Sequence, residues 1–404
     1  MSSLSDIRVL DFGSEMGSYA GKLYADLGAD VIHIESPEGD PLRYSGPFYK
    51  DKQGRENSLK FLYHNTSKRG IVLDITKQEG KEVFLKLIKT ADILIESFSP
   101  GYLDELGLSY AYLRRENPRL VHAAITPFGQ EGPYCLWKAS DLTIMALGGF
   151  LYIAGEDDEK PAWAYGEQAY MAGSMYGAVG TIIALYEAER TGEGQFVDVS
   201  MQACAATGLE NALQYWDLEK TIRRSSSTTE AGYGVYPCKD GYIYIVQMGD
   251  NVYLWEPLPK WLREEGVKGS EIISQKEWES TRFRREAESK RVFREIFESF
   301  TMKHDKKFLF EEGQRRGVPL APIFDSKDVY EDPHLNYRQF FKTLFHEVLG
   351  GEVCYPGEPY LMEKIPWQIK PAPAFGQYTR EILEEIGYSK EQIETLNERG
   401  VIYV

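Results

Sequence analysis

Short apolar runs that end at glycine or proline alternate with amphipathic segments through the first half of the chain. The runs are IRVLDFG, ADVIHIESP, GIVLDIT, DILIESF and RLVHAAITPFG, and helix-like segments such as KQEGKEVFLKLIKTA stand between them. Parallel strands require crossover connections of this kind. The alternation therefore predicts a doubly wound α/β sheet, with a ligand crevice at the carboxyl ends of its strands.

The stretch of residues 166–201, GEQAYMAGSMYGAVGTIIALYEAERTGEGQFVDVSM, predicts a helix, a glycine turn and a strand in succession. Glycines at positions 173, 177 and 180 recur at helical spacing, so another backbone can approach this helix closely. An apolar stripe accompanies them, made of Met175, Val179, Ile182, Ile183 and Tyr186.

At 404 residues the chain is too long for one ordinary hydrophobic core, which predicts two domains or one large domain with an insertion. The serine-rich segment RRSSSTTEAG marks a boundary near Arg224, and the DG turn in GVYPCKDGYIYIVQMG predicts a hairpin beyond it. We expect a large α/β domain over 1–200, a linker helix over 201–224, a small α+β domain over 225–325, a return linker over 326–345, and the rest of the large domain over 346–404. The mixed charges of residues 275–300 indicate a solvated helix face, and Ser389 is a candidate N-cap for the last helix.

Composition excludes several classes of function. A net charge of −16 and a pI near 5.0 argue against a nucleic-acid partner. We expect neither secretion nor a membrane span, because the chain starts without a basic leader and contains no run of about 18 apolar residues. Four separated cysteines and six scattered histidines predict a reduced, cytoplasmic protein without a metal site. Gly13, Gly17 and Gly21 do not form a GxGxxG fingerprint, so we do not expect NAD or FAD.

Taken together, the motifs resemble the class III coenzyme A transferases over nearly the whole chain. The matching segments are LADLGADVIHIE, HNTSKRGIVLDITKQEGKE, ADILIESFSPGYLDELGL, ENPRLVHAAITPFGQEGP, ALYEAERTGEGQFVDVSM, RRGVPLAPIFD and PAPAFGQYTREILEEIGYS. The resemblance implies a Rossmann-like large domain built from N- and C-terminal parts, a smaller α+β domain, and two interlocked chains. Family members mostly move coenzyme A between carboxylic acids, and one branch racemises 2-methylacyl-CoA thioesters.

The resemblance also implies an aspartate nucleophile four residues before the first glycine of the helix in 166–201. A carboxylate there can attack an acyl thioester and later hold coenzyme A as an enzyme thioester. In this chain Ala169 stands at that position, so we assign no catalytic residue. Glu167 is a weak substitute, because its backbone position misplaces the attack. The acid-base pair of the racemase branch is matched by Ser140 and Asp141, and we interpret Asp141 as the N-cap of a helix.

The same comparison predicts where coenzyme A would lie. The implied cofactor-binding residues are Leu73, Asp74, Ile75, Thr76, Ser97, Phe98 and Lys138, although Lys138 could equally be a surface lysine. Ser36 and Glu105 replace basic residues that the family commonly has, so weak or absent coenzyme A binding is expected. We interpret Lys68 and Arg69 as a solvated pair. The turn Gln247, Met248 and Gly249 matches a family loop that closes over the reacting thioester, and we expect it to serve the partner's active site.

Three hypotheses follow. In the first, the chain is a catalytically silent subunit of a heteromeric transferase that moves coenzyme A between dicarboxylic or aromatic acids. Its partners would be a homologous subunit that carries the aspartate, an acyl-CoA and a free carboxylic acid, with no tightly bound cofactor. The second is an active homodimeric transferase or isomerase that uses Glu167. The third is a non-enzymatic acyl-CoA binding scaffold.

Overall fold

The computed structural model describes residues 4–155, 160–222, 224, 230–250 and 252–404. The predicted serine-rich linker lies mostly outside the described residues, at positions 223 and 225–229. The chain divides into two compact units. The large unit comprises Met1–Tyr152, Trp163–Asn211 and Leu335–Val404, and the small unit comprises Ile153–Ala162 and Ala212–His334.

The strands of both units are numbered together in chain order. They are β1 Arg8–Phe12, β2 Asp30–Glu35, β3 Arg69–Leu73, β4 Ile93–Glu96, β5 Val121–Thr126, β6 Phe196–Ser200, β7 Tyr233–Cys238, β8 Gly241–Val246, β9 Leu320–Ile323, β10 Phe341–His346, β11 Gly351–Pro356 and β12 Ile402–Tyr403.

The α-helices are numbered in the same way. They are α1 Ser18–Asp26, α2 Leu59–His64, α3 Gln78–Ile88, α4 Tyr102–Glu105, α5 Tyr110–Glu116, α6 Asp141–Leu147, α7 Phe150–Ile153, α8 Gln168–Thr191, α9 Met201–Thr207, α10 Ala212–Glu219, α11 Val252–Trp255, α12 Pro257–Glu264, α13 Thr281–Arg284, α14 Ala287–Thr301, α15 Lys306–Arg316, α16 Ser326–Glu331, α17 Pro333–Tyr337, α18 Thr379–Glu385 and α19 Lys390–Glu398.

A seven-stranded sheet organises the large unit, in the order β12-β3-β2-β1-β4-β5-β6. Strands β1 to β6 run parallel, while β12 pairs antiparallel with β3 through Ile402 and Leu73. The order 3-2-1-4-5-6 is that of a doubly wound fold, and its direction reverses between β1 and β4. The predicted parallel α/β sheet is confirmed, and β12 shows that both ends of the chain build this unit.

Helix α8 approaches the sheet closely because glycines line its inner face. A Cβ atom on Gly177 would lie 2.6 Å from Cδ1 of Ile125 on β5, and one on Gly173 would lie 2.7 Å from Cγ of Met201. The close approach predicted from the glycine spacing is therefore confirmed. The apolar stripe on the same helix faces away from the core of this chain, with Ile183 63% exposed and Tyr186 71% exposed.

The small unit contains a three-stranded antiparallel sheet in the order β7-β8-β9. The predicted hairpin is confirmed, because β7 and β8 pair across the turn that contains Asp240. Helix α14 buries Phe293 and Phe297, while its exposed Arg291 pairs with Glu288 and Glu295. The interpretation of residues 275–300 as a solvated face is wrong for Arg284, which is only 1% exposed.

The predicted connecting segments contain regular structure. Residues 201–224 include α9 in the large unit and α10 in the small unit, and residues 326–345 include α16, α17 and most of β10. The N-cap at the last helix is confirmed, because Ser389 Oγ accepts the Gln392 N–H at 3.3 Å. Over the part of the chain that the structure describes, no helix is both long and apolar enough to cross a bilayer.

Candidate functional site

A cavity of about 290 Å³ opens at the carboxyl ends of β1, β2, β3 and β4. This is the edge where the strand order reverses, which is the usual ligand position in an open α/β sheet. The cavity brings together most of the residues that the sequence predicted for coenzyme A. They are Leu73, Asp74, Ile75, Thr76, Ser97 and Phe98, with Ser36 beside them.

The loop after β3 is held by hydrogen bonds of Asp74. Its Oδ1 atom accepts the Thr76 N–H at 3.0 Å and the Thr76 hydroxyl at 2.5 Å. The Asp74 N–H donates to the Val401 carbonyl at 2.8 Å, so the C-terminal part of the chain supports this wall. A Cβ on Gly80 would lie 1.8 Å from the Asp74 carbonyl oxygen, which means that only glycine fits where α3 approaches.

The opposite wall follows β4 and is aromatic. The Phe98 N–H donates to Glu96 Oε2 at 2.6 Å, and Ser97 Oγ accepts the Ser14 N–H at 3.3 Å. The Phe98 ring lies 5.2 Å from Phe12 and 4.8 Å from Tyr102 between centroids. These contacts hold the Phe98 ring in place between two tilted aromatic neighbours, and a planar group could pack against it.

Beneath the cavity, Lys68 is fully enclosed. Its ammonium group donates to Asp11 Oδ2 at 2.6 Å, to the Ser18 carbonyl at 2.8 Å and to Asn65 Oδ1 at 2.8 Å. The interpretation of Lys68 as solvated is wrong, because the buried carboxylate of Asp11 needs a countercharge. Arg69 is partly enclosed and pairs with Asp30 at 2.8 Å. Burial raises the pKa of Asp11, but Lys68 and His33 outweigh it and leave that pKa below its usual value.

His33 lines the cavity and lies between two carboxylates. Its Nε2 is 3.1 Å from Asp40 Oδ2, and its Nδ1 is 3.5 Å from Asp11 Oδ2. Burial lowers the pKa of His33, yet the two carboxylates together raise it to about 9, so the ring is protonated at neutral pH. The sequence analysis missed this role, because His33 and Asp40 form no recognisable motif.

Arg43 is likewise paired with carboxylates of this chain. Arg43 donates from Nε to Glu35 Oε2 at 2.6 Å and from Nη2 to Glu35 Oε1 at 2.7 Å. A further Arg43 nitrogen contacts Glu56 at 2.9 Å, so this guanidinium is engaged by two carboxylates of the chain. The charged groups around the cavity are thus paired within the fold.

The cavity suits a planar, weakly charged group better than a polyphosphate. Among the described residues that line it there is neither lysine nor arginine, whereas phosphates are held by such cations. Ser36 stands exposed at the mouth. Lys138 lies exposed in the loop between β5 and α6, Glu105 lies exposed on α4, and neither lines the cavity. The described lining of this cavity therefore offers no lysine or arginine to a phosphate group.

The start of α8 presents Ala169, with no exposed surface. Glu167 occupies the N-cap position, but its side chain makes no capping bond and instead pairs with Lys60. Glu15 also lies near, with 3.6 Å between its carboxylate and the Lys60 ammonium. Near Ala169, the described residues thus include two glutamates, Glu167 and Glu15, which both approach Lys60. Burial and the neighbouring Glu167 raise the pKa of Glu15.

Asp141 also lies at the start of α8, although it belongs to α6. Helix α6 is capped by Ser140, whose N–H donates to Thr143 Oγ1 at 2.8 Å, so the assignment of Asp141 as that N-cap is wrong by one residue. Asp141 Oδ1 instead accepts the N–H of Tyr170 at 3.0 Å, in the first turn of α8. Helix N-termini favour carboxylates in this way. Burial raises the pKa of Asp141, although hydrogen bonds from the backbone N–H groups of Tyr170, Ala169 and Gln168 oppose the rise.

The predicted substrate turn belongs to the small unit and directly follows β8. Gln247 is buried, while Met248 is 52% exposed and Gly249 has a φ of +82°. The structure thus places the turn at the surface of its unit. Over the described residues, no group of three His, Cys, Asp or Glu side chains could hold a metal ion.

Known proteins resemble this chain over nearly its whole length. The chain is 44% identical to the subunit BbsE of succinyl-CoA:(R)-benzylsuccinate CoA-transferase from Thauera aromatica, across 99% of this chain and 98% of that protein. It is 32% identical to a succinate–glutarate CoA-transferase from Agrobacterium fabrum, across 95% of each chain. A crystal structure of a CAIB/BAIF family protein from Brucella suis superimposes with a TM-score of 0.83 at 27% identity, covering 95% of this chain and 99% of that one.

The family description agrees with these relatives. The sequence model of CoA-transferase family III matches residues 4–379, which include the cavity and the start of α8. The chain belongs to CoA-transferase family III.

Proposed function

We propose that this chain is a catalytically silent subunit of a heteromeric coenzyme A transferase. The observation that carries the proposal is Ala169, which is fully buried at the start of α8 where the family resemblance implies the nucleophilic aspartate. A methyl group can neither attack a thioester nor accept a proton. The aspartate must then come from a homologous partner subunit.

The surroundings of Glu167 support this proposal over an active homodimer. A nucleophilic carboxylate must be free to approach the thioester carbon, but Glu167 pairs with Lys60. Withdrawing Glu167 from this contact would leave Lys60 beside the half-buried Glu15 alone. The carboxylate is thus held in a contact that competes with attack.

The composition of the cavity lining is an argument for weak coenzyme A binding by this chain. Its lining lacks lysine and arginine among the described residues, and Ser36 stands where the family commonly has an arginine. The principal coenzyme A site would accordingly lie in the partner. By analogy with the relative that acts on succinyl-CoA and (R)-benzylsuccinate, the complex would transfer coenzyme A between a dicarboxylic acid and an aromatic acid.

The exposed stripe on α8 supports binding of a protein partner. By the family resemblance, that partner would be of related structure and the two chains would interlock, in the cytoplasm. Val179, Ile183 and Tyr186 are each more than half exposed, and contiguous apolar surface of this kind marks interaction sites. Met175 and Ile182 extend the same face. In such an assembly the turn at residues 247–249 would border the partner's reaction site.

The test compares one chain with two. The purified chain is assayed for transfer from succinyl-CoA to (R)-benzylsuccinate, first alone and then co-purified with a homologous subunit that carries the aspartate. The proposal expects turnover only from the pair, and loss of that turnover when the partner's aspartate is changed to alanine. Robust turnover by the single chain would overturn it, and Glu167→Gln would then show whether Glu167 is the nucleophile.

A further inference from the structure

The turn at residues 247–249 is fixed from inside the small unit by one buried side chain. Arg284, the last residue of α13, is 1% exposed. Its Nη1 atom donates to the Gln247 carbonyl at 2.6 Å, and its Nη2 atom donates to the Gly249 carbonyl at 2.6 Å. One planar guanidinium thus spans both ends of the turn.

Glu230 holds the same turn through a different atom. Its carboxylate is 4% exposed, and Oε1 accepts the Gly249 N–H at 3.1 Å. The Gln247 N–H donates to the Gly232 carbonyl at 2.8 Å. Four main-chain groups of the turn are therefore satisfied by groups of the small unit, two of them by Arg284.

Arg284 is itself immobilised by an aromatic surface. Its guanidinium carbon lies 4.5 Å from the centroid of the Trp255 ring, within the range of a cation–π contact. Trp255 is fixed in turn, because its Nε1 donates to the Ile273 carbonyl at 3.1 Å and its ring stacks on Trp278. The planar cation therefore has one orientation, which matches the two carbonyls.

The turn does not hold its own shape through its side chains. The Gln247 side chain is 1% exposed, and within the described part of the chain neither its Nε2 nor its Oε1 has a hydrogen-bond partner. A buried amide in this state destabilises the fold, because it has lost its hydrogen bonds to water without replacing them. Gly249 adds a left-handed conformation, with a φ of +82°. The observed conformation thus depends on contacts supplied from outside the turn.

We infer that Arg284 is the positioning residue of the 247–249 turn, which it fixes together with Glu230 as a rigid wall rather than a closing loop. The fixation follows from the contacts of Arg284. That the wall borders a reaction site on the partner subunit rests on the proposed function. The two statements can be tested separately.

Hydrogen exchange of the full chain tests the fixation. In Arg284→Lys a single ammonium group replaces the planar fork and cannot span both carbonyls. Amides in the peptide that covers residues 247–250 should then exchange at least about tenfold faster, as expected when about 1.4 kcal/mol of local stability is lost. Arg291→Lys is the matched control, because Arg291 is exposed on α14 and pairs with Glu288 and Glu295, and it should leave the exchange of these amides unchanged. Unchanged exchange in folded Arg284→Lys would overturn the inference.

If Arg284→Lys does not fold, Gly249→Ala is a second variant that should loosen the 247–249 turn. A Cβ at this position meets no atom within 4 Å, so the substitution strains the left-handed backbone without a clash. Faster exchange confined to residues 247–250 is expected, and exchange equal to that of the wild type would contradict a conformation held by outside contacts.

Turnover of the co-purified complex tests the role of the wall. Arg284→Lys should lower kcat by about tenfold or more, because small displacements of positioning groups carry costs of this size. The KM for succinyl-CoA should stay the same. An unchanged kcat together with faster local exchange would overturn the role as a wall while the fixation stands. A wild-type complex without turnover would instead contradict the proposed function.

Discussion

Asp141 and Tyr170 join two helices beside Ala169, at the start of α8. The Asp141 carboxylate, on α6, accepts the Tyr170 N–H at 3.0 Å. Tyr170 lies in the first turn of α8, one residue after Ala169. In this chain the positive end of a 24-residue helix is therefore satisfied by a structural carboxylate. The contact ties α6 to the first turn of α8 beside Ala169.

Removing this acceptor should destabilise the chain. Asp141→Ala leaves N–H groups of α8 without their partner and should cost about 1 kcal/mol, as measured for helix caps. Asp141→Asn keeps an acceptor oxygen for the Tyr170 N–H and should therefore cost less than Asp141→Ala. Urea unfolding of the two variants checks the difference. Equal losses would show that the charge and not the acceptor matters.

The Lys68–Asp11 pair predicts a larger effect. Lys68→Met leaves the buried Asp11 carboxylate with His33, 3.5 Å away, in place of its closest countercharge, and should cost about 3 kcal/mol in the free energy of unfolding. The double variant with Asp11→Asn should recover part of this loss. Arg69→Met is the control, because the partly exposed Arg69 shares Asp30 with Arg8. A loss in Lys68→Met no greater than in Arg69→Met would contradict the buried pair.

His33 predicts how stability depends on pH. Its pKa rises from 6.5 to about 9 in the folded chain, because Asp11 and Asp40 outweigh burial. The stabilisation is therefore complete below pH 6.5 and is lost as pH rises through 9. Its full size is of the order of 3 kcal/mol. His33→Asn should flatten this alkaline slope in urea unfolding between pH 6 and pH 9.5. The same slope in wild type and variant would refute the assignment.

The patterns that were readable from sequence are those with local causes. Strand alternation, the close approach at Gly177 and the cap at Ser389 each depend on residues near one another in the chain. Lys68 and Asp11 are 57 positions apart, and nothing near Lys68 in sequence distinguishes it from a surface lysine. Arg284 was missed for the same reason, since its acceptors are backbone carbonyls 35 and 37 residues away.

The cation-poor cavity predicts a gain of coenzyme A binding from one substitution. Ser36→Arg places a guanidinium at the exposed mouth, where charge-assisted hydrogen bonds to phosphate contribute about 1.5–3 kcal/mol. Affinity measured by calorimetry should increase at least about tenfold. Ser36→Gln supplies a long polar side chain without charge and should change little. Equal affinities for the two variants would show that charge at this position does not limit binding.

The identity of the subunit that carries the covalent intermediate tests the account most directly. A carboxylate nucleophile attacks the thioester carbonyl of succinyl-CoA, and coenzyme A thiolate leaves as a mixed anhydride forms. The thiolate then attacks the enzyme-derived carbonyl of the anhydride, which gives an enzyme thioester and free succinate. The complex is mixed with succinyl-CoA, quenched in acid, and measured by intact-mass spectrometry of both subunits. We predict coenzyme A bound as a thioester to the aspartate-bearing partner, with the mass of this chain unchanged. A coenzyme A adduct on this chain that disappears in Glu167→Gln would contradict the account.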